Sequence, residues 1–105
     1  MNDILIVDDE KDIRDLIAEI LKDEGFKVRV AGNSEDCLKE IGSKPPAVLL
    51  LDIWLKDSEM DGIDILKATK RNNPDIPILI ISGHGNIEIA VAAIKQGAYD
   101  FVEKP

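Results

Sequence analysis

Apolar positions recur along the chain in two alternating rhythms. Ile4–Val7 is a short continuous apolar run. From about Lys11 to Glu24, Ile13, Leu16, Ile17, Ile20 and Leu21 recur at offsets of 3, 4, 7 and 8, the spacing that puts side chains on one face of a helix. Gly25 ends that helix. Lys27–Ala31 alternates, with Val28 and Val30 on one side, as an edge strand does. Ser34–Ile41 reads as a short helix capped by Asn33 or Ser34. After Pro45-Pro46, Ala47–Leu51 has the composition of a buried strand. Ile63–Asn72 reads as a helix broken at Asn73-Pro74. Ile78–Ile81 is a further buried strand. Asn86–Gln96 is a helix with Ile87, Ala90, Val91 and Ile94 inward and Gly97 at its close, and Tyr99–Val102 is a fifth strand.

Strands alternating with helices predict an α/β fold with a parallel sheet covered on both faces. Right-handed crossovers leave few topologies. The expected one is the flavodoxin-like, doubly wound five-stranded sheet of order 2-1-3-4-5.

The 105 residues suit one domain. They are 45% hydrophobic but only 4% aromatic, so aliphatic side chains fill the core. A net charge of −8 opposes phosphate backbones, which argues against direct nucleic-acid binding. One cysteine, Cys37, excludes an internal disulfide and is consistent with a reducing cytosol. The apolar runs are too short to cross a bilayer, and no signal peptide precedes the first strand. A cytoplasmic protein without membrane contact is expected.

In such a sheet, functional groups gather at the carboxyl ends of the strands. Those ends carry Asp8-Asp9 and then Glu10, Asp52, Ser82-Gly83-His84, and Glu103-Lys104-Pro105. Three carboxylates, a hydroxyl and an ammonium are expected to converge there. Two like charges about 4 Å apart repel by about 4 kcal/mol at an effective dielectric near 20, so a counter-ion is needed. Oxygen ligands without Cys or His favour Mg2+. A carboxylate can serve as nucleophile in phosphoryl transfer. Asp52, alone at the end of the central strand, is the best candidate, with Asp8 and Asp9 better placed for metal. Lys104 can pair with phosphoryl oxygens and Ser82 can donate to them, while Gly83 removes bulk beside that spot.

Asp8-Asp9, Asp52, Ser82 and Lys104-Pro105 together resemble the receiver (CheY-like) domain family of two-component response regulators, over essentially the whole chain. The resemblance implies that Asp52 is the phosphoacceptor for a sensor histidine kinase. It implies Mg2+ on Asp9, Asp52 and the backbone carbonyl of Trp54, with Asp8 acting through water. Ser82 stands at the switch hydroxyl and Phe101 at the switch aromatic. Lys104-Pro105 matches a Lys-Pro whose peptide is typically cis. Ser82–Asn86 and Gly97–Pro105 are similar to the NtrX/NtrC nitrogen-control group, whose receiver precedes ATPase and DNA-binding output domains. Homodimerisation through the fourth-helix face is also implied. The family's last helix has no counterpart before Pro105, so residues 1–105 are expected to be a receiver domain ending short of it. Ile53–Met60 is a departure, about two residues longer than the family's Met-Pro loop and without proline, which bears on the Trp54 carbonyl.

Other readings fit less well. A phosphorylation-independent interaction module leaves the acidic set unexplained. An aspartate-nucleophile phosphatase needs a second aspartate two residues after the nucleophile, where Trp54 stands. A flavodoxin needs a phosphate-binding first loop, and Asp8-Asp9-Glu10 repels phosphate. Asp57–Gly62 imitates a calcium loop, but its twelfth position is Ala68. Trp54 and His84 each follow a reactive position by two and are expected to shield an aspartyl phosphate from water. The only function expected of the chain itself is a switch, with no turnover beyond its own phosphorylation and dephosphorylation.

Overall fold

The computed structural model describes residues 3–53, 55, 61–82 and 87–103. Nine elements alternate along them: β1 (Asp3–Val7), α1 (Lys11–Asp23), β2 (Lys27–Ala31), α2 (Ser34–Ser43), β3 (Val48–Asp52), α3 (Gly62–Asn72), β4 (Ile78–Ser82), α4 (Ile87–Lys95) and β5 (Asp100–Glu103). The strands form one sheet of order β2-β1-β3-β4-β5. Every neighbouring pair is parallel. This is the expected flavodoxin-like arrangement.

Alternate side chains of the strands feed two apolar layers. Leu5, Val7, Leu49, Leu51, Ile78 and Ile80 point to one face and pack with Cys37 and Ile41 of α2, Ile65 and Leu66 of α3 and Ala93 of α4. Ile4 and Ile6 point to the other, against Ala18, Ile17 and Leu21 of α1. Of the described helices only α1 contributes to this second layer.

The predicted inner stripe of α1 is therefore covered only in part. Ile17 and Leu21 pack inward, but Leu16 is 44% exposed and Ile20 54%. The residue α1 buries most fully is Ala18, which the helical pattern did not single out. On β2, Val28 packs against this layer while Val30 stays exposed at the sheet edge.

Local signals set the element ends. Gly25 (φ +93°) follows α1, with its amide on Lys22 O and the Phe26 amide on Leu21 O, a left-handed turn that a side chain would strain. Gly97 (φ +110°) does the same after α4. Asn33 is the cap of α2, its side chain accepting from the Asp36 amide at 2.8 Å. Asp61 caps α3 by accepting from the Asp64 amide at 2.9 Å, so the helix begins at Gly62, one residue before expectation. β3 and β5 each run one residue further toward the carboxyl end than expected, which brings Asp52 and Glu103 into the sheet.

Candidate functional site at the carboxyl ends of the strands

The order β2-β1-β3-β4-β5 makes neighbours of the strands that carry the candidate residues. Val7 of β1 pairs with Leu51 of β3, so Asp8 and Asp52 stand one step beyond that pair on adjacent strands. Asp52 in turn pairs with Ile81, the residue before Ser82. Ser82 pairs with Glu103. The same rim thus receives Asp8, Asp52, Ser82 and the residue that leads into Lys104.

Asp8 is fully buried and Asp52 is 1% exposed. Asp9 is half-buried and Glu10 exposed. Asp8, Asp9 and Glu10 bring one carboxylate oxygen each to within 4.8 Å of one another. The sequence marked Asp8 and Asp9 as ligands but gave Glu10 no role, since its position depends on how the chain turns into α1. That turn is closed by the Glu10 amide, which donates to Asp8 Oδ1 at 2.9 Å. α1 begins at the next residue, so its amino-terminal dipole faces the acidic group and favours negative charge there.

Two further residues shape the rim without any clear sign in the sequence. Gly62, the first residue of α3, donates its amide to Ile53 O at 2.9 Å. A Cβ built on Gly62 would lie 2.4 Å from Asp52 O and 2.5 Å from Ile53 Cα. Only a residue without a side chain lets α3 start this close to the backbone of Asp52. Arg14, on the second turn of α1, donates from Nη1 to Asp8 O at 3.0 Å.

Phe101 of β5 pairs with Ile80 of β4 and packs, partly buried, against the larger apolar layer. Trp54, Gly83, His84, Lys104 and Pro105 lie outside the described residues, as does the Lys104-Pro105 peptide. The expected carbonyl of Trp54, the ammonium of Lys104 and the shielding by Trp54 and His84 therefore have no structural counterpart to compare.

The donor set suits a small hard cation. It is all oxygen, two of its carboxylates are buried, and three oxygens from consecutive residues already converge. Converging carboxylates repel one another, and a divalent ion would offset that repulsion.

Comparison with known proteins agrees with this geometry. The family model of the response regulator receiver domain matches residues 4–105. An NtrX-like response regulator of Rickettsia bellii is 60% identical over 103 residues, covering 98% of this chain. The nitrogen assimilation regulatory protein NtrX of Azorhizobium caulinodans is 56% identical over 104 residues, covering 99% of it. The chain spans only 22% and 23% of the lengths of these two relatives. The crystal structure of the NtrX receiver domain from Brucella abortus superposes with a TM-score of 0.95 at 53% identity, over 97% of this chain and 85% of that one. No helix among the described residues is long and apolar enough to cross a membrane. The chain belongs to the response regulator receiver domain family, on the NtrX-like side of it.

Proposed function

We propose that the chain is a phosphoacceptor switch, in which Asp52 takes a phosphoryl group from the phosphohistidine of a sensor kinase and thereby controls output domains elsewhere in the full-length protein. The observation that carries this reading is the pair of buried carboxylates, Asp8 and Asp52, at the ends of adjacent strands beside the Asp8–Asp9–Glu10 oxygen cluster.

A carboxylate oxygen of Asp52 attacks phosphorus as the bond from phosphorus to the kinase imidazole breaks. The imidazole nitrogen leaves with the electron pair and is reprotonated from solvent. Asp52 suits this step because Gly62 and the sheet hold its backbone in place, so little ordering remains to be done at the moment of transfer. Asp8, Asp9, Asp52 and the Trp54 carbonyl are the residues assigned to Mg2+. When bound, the ion supplies charge neutralisation for the phosphoryl oxygens. Ser82 donates a hydrogen bond to the transferred group and Lys104 pairs with it as a point charge.

The output follows from Ser82 and Phe101. Drawing Ser82 toward the phosphoryl group opens space on the β4–β5 side, and Phe101 moves into it, biasing a two-state surface. That surface is formed by α4 and β5 and already presents Val91, Ile94 and Tyr99 to solvent. It suits a second receiver in a homodimer or an output domain. The names of the relatives, a nitrogen assimilation regulatory protein and a DNA-binding transcriptional regulator, support a nitrogen-regulation output acting on DNA; the resemblance adds an ATPase domain and a cytoplasmic setting to the proposal.

Incubation with acetyl phosphate, with and without Mg2+, followed by intact mass, tests the reading. The expected product carries one phosphoryl group, needs Mg2+, and is lost in Asp52→Asn. A chain that gains no phosphoryl group, or gains it equally in Asp52→Asn, overturns the reading.

A further inference from the structure

The peptide that joins Asp8 to Asp9 carries a proposed metal-site carboxylate on each side, so its orientation sets both. Its carbonyl oxygen, Asp8 O, accepts from Arg14 Nη1 at 3.0 Å. The Asp8 amide donates to Ala31 O at 3.1 Å, and Asp8 Oδ1 accepts from the Glu10 amide at 2.9 Å. The contact from Arg14 acts directly on the joining peptide.

Arg14 is placed for this contact from two sides. Its own amide donates to Glu10 O at 3.0 Å, which fixes it on α1 just past the acidic turn. Its guanidinium passes over Gly32, the residue after β2, and a Cβ on Gly32 would lie 2.8 Å from Nη1. The missing side chain at Gly32 is what leaves room for the guanidinium. Arg14 Nε is buried and makes no hydrogen bond. A buried donor without a partner is unfavourable, a cost that the bond to Asp8 O helps to offset.

We propose that Arg14 is a positioning residue for the magnesium site: through Asp8 O it fixes the Asp8–Asp9 peptide plane and pre-sets both carboxylates for the ion. The inference rests on the metal reading given under the proposed function. Residues that orient metal ligands without touching the ion typically change affinity by about 10- to 100-fold when lost.

A double-mutant cycle tests it. Wild type, Arg14→Met, Gly32→Ala and the double variant are each titrated with MgCl2 and followed by amide chemical shifts. Thermal stability is measured separately in metal-free buffer. Arg14→Met is expected to weaken Mg2+ binding about tenfold. Gly32→Ala touches Arg14 and no carboxylate, yet is expected to weaken binding in the same direction. In the double variant, the Gly32 substitution is expected to add nothing to the loss from Arg14→Met, since its effect passes through the same contact. Arg14→Lys, which keeps a donor and the charge, is expected to recover part of the affinity.

Arg14→Met with wild-type Mg2+ affinity overturns the proposal, and so do effects of the two substitutions that multiply. If Arg14→Met fails to fold, Gly32→Ala binding Mg2+ like wild type overturns it alone. Absence of saturable binding in the wild type overturns the metal reading itself and this inference with it. That result differs from a bound wild type beside an unaffected Arg14→Met.

Discussion

The two ends of the sheet both bury aspartates, and they place them in different surroundings. At the amino end, Asp3 is 7% exposed and lies against Arg29, which donates from Nη2 at 2.7 Å and from Nε at 3.2 Å. The same guanidinium also donates to Glu40 O, Glu40 Oε1 and Lys44 O. Pairing with Asp3 holds Arg29 above its usual pKa. At the carboxyl end, Asp8 and Asp52 are buried more completely, and the carboxylate oxygens of Asp8, Asp9 and Glu10 lie within 4.8 Å of one another. The charge at the amino end is neutralised within the protein and ties β1, β2 and α2 together. At the carboxyl end three carboxylate oxygens, from Asp8, Asp9 and Glu10, converge on one spot, an all-oxygen set that suits a divalent cation. Burial of an acid therefore does not mark function in this fold; the surroundings of the acid do.

Substitutions at the two ends are expected to separate stability from chemistry. Asp52→Asn has the largest effect on function, abolishing phosphorylation by acetyl phosphate. It removes a charge while keeping the size of the buried side chain, so the fold is expected to be retained. Arg29→Met does the reverse. It leaves Asp3 buried without its cation and strips two carbonyls of a donor, at about 3 kcal/mol by urea unfolding. Phosphorylation of Asp52 and Mg2+ affinity are expected to be unchanged. A loss of Mg2+ affinity in Arg29→Met would break the division between the ends.

Gly62→Ala is expected to act on both measures. Its Cβ would strike the backbone of Asp52 and Ile53, which cannot yield as a flexible side chain does. The expected destabilisation is about 2 kcal/mol, together with slower phosphorylation of the folded fraction at saturating Mg2+. Normal phosphorylation kinetics in Gly62→Ala would show that Asp52 does not depend on the close approach of α3.

The smallest effects belong to groups outside both ends. Burial pushes the Cys37 thiol up to about 12, so the native protein is expected to resist alkylation at pH 8 and to react only on unfolding. Lys11 and Asp15 form an exposed ion pair one turn apart on α1, and the Lys11 ammonium holds the Asp15 carboxyl below its ordinary 3.8. A lowered native value means that the pair's contribution is present above 3.8 and is lost as pH falls through the native value. Lys11→Ala is expected to leave stability at pH 7 almost unchanged and to remove that small acid-limb dependence.

The architecture was legible because each strand is a short aliphatic run and each helix a run of period 3.6. The carboxyl-end acids were legible because their place follows from strand order. What escaped depends on contacts between distant segments. Asp3 reads as a polar residue before the first strand, yet it belongs to β1, because Arg29 reaches it from the neighbouring strand. Leu16 and Ile20 read as buried by periodicity, but periodicity fixes only the face of a helix and not how far the opposing layer extends. Along that layer an apolar groove of about 240 Å³ runs between Ile17, Ile20, Leu50, Ile81 and Val102. Glu10 and Arg14 joined the site through the turn into α1, and Gly62 through the approach of α3 to β3. Neither approach has a signature in residue spacing.

A Mg2+ titration followed by the amide shifts of the wild-type chain tests the contrast between the two ends most directly. The account predicts saturable shifts at Asp8, Asp9, Glu10 and Asp52, with Asp3, Arg29 and Glu40 unmoved. Absence of saturation, or shifts centred on Asp3 and Glu40, would contradict it.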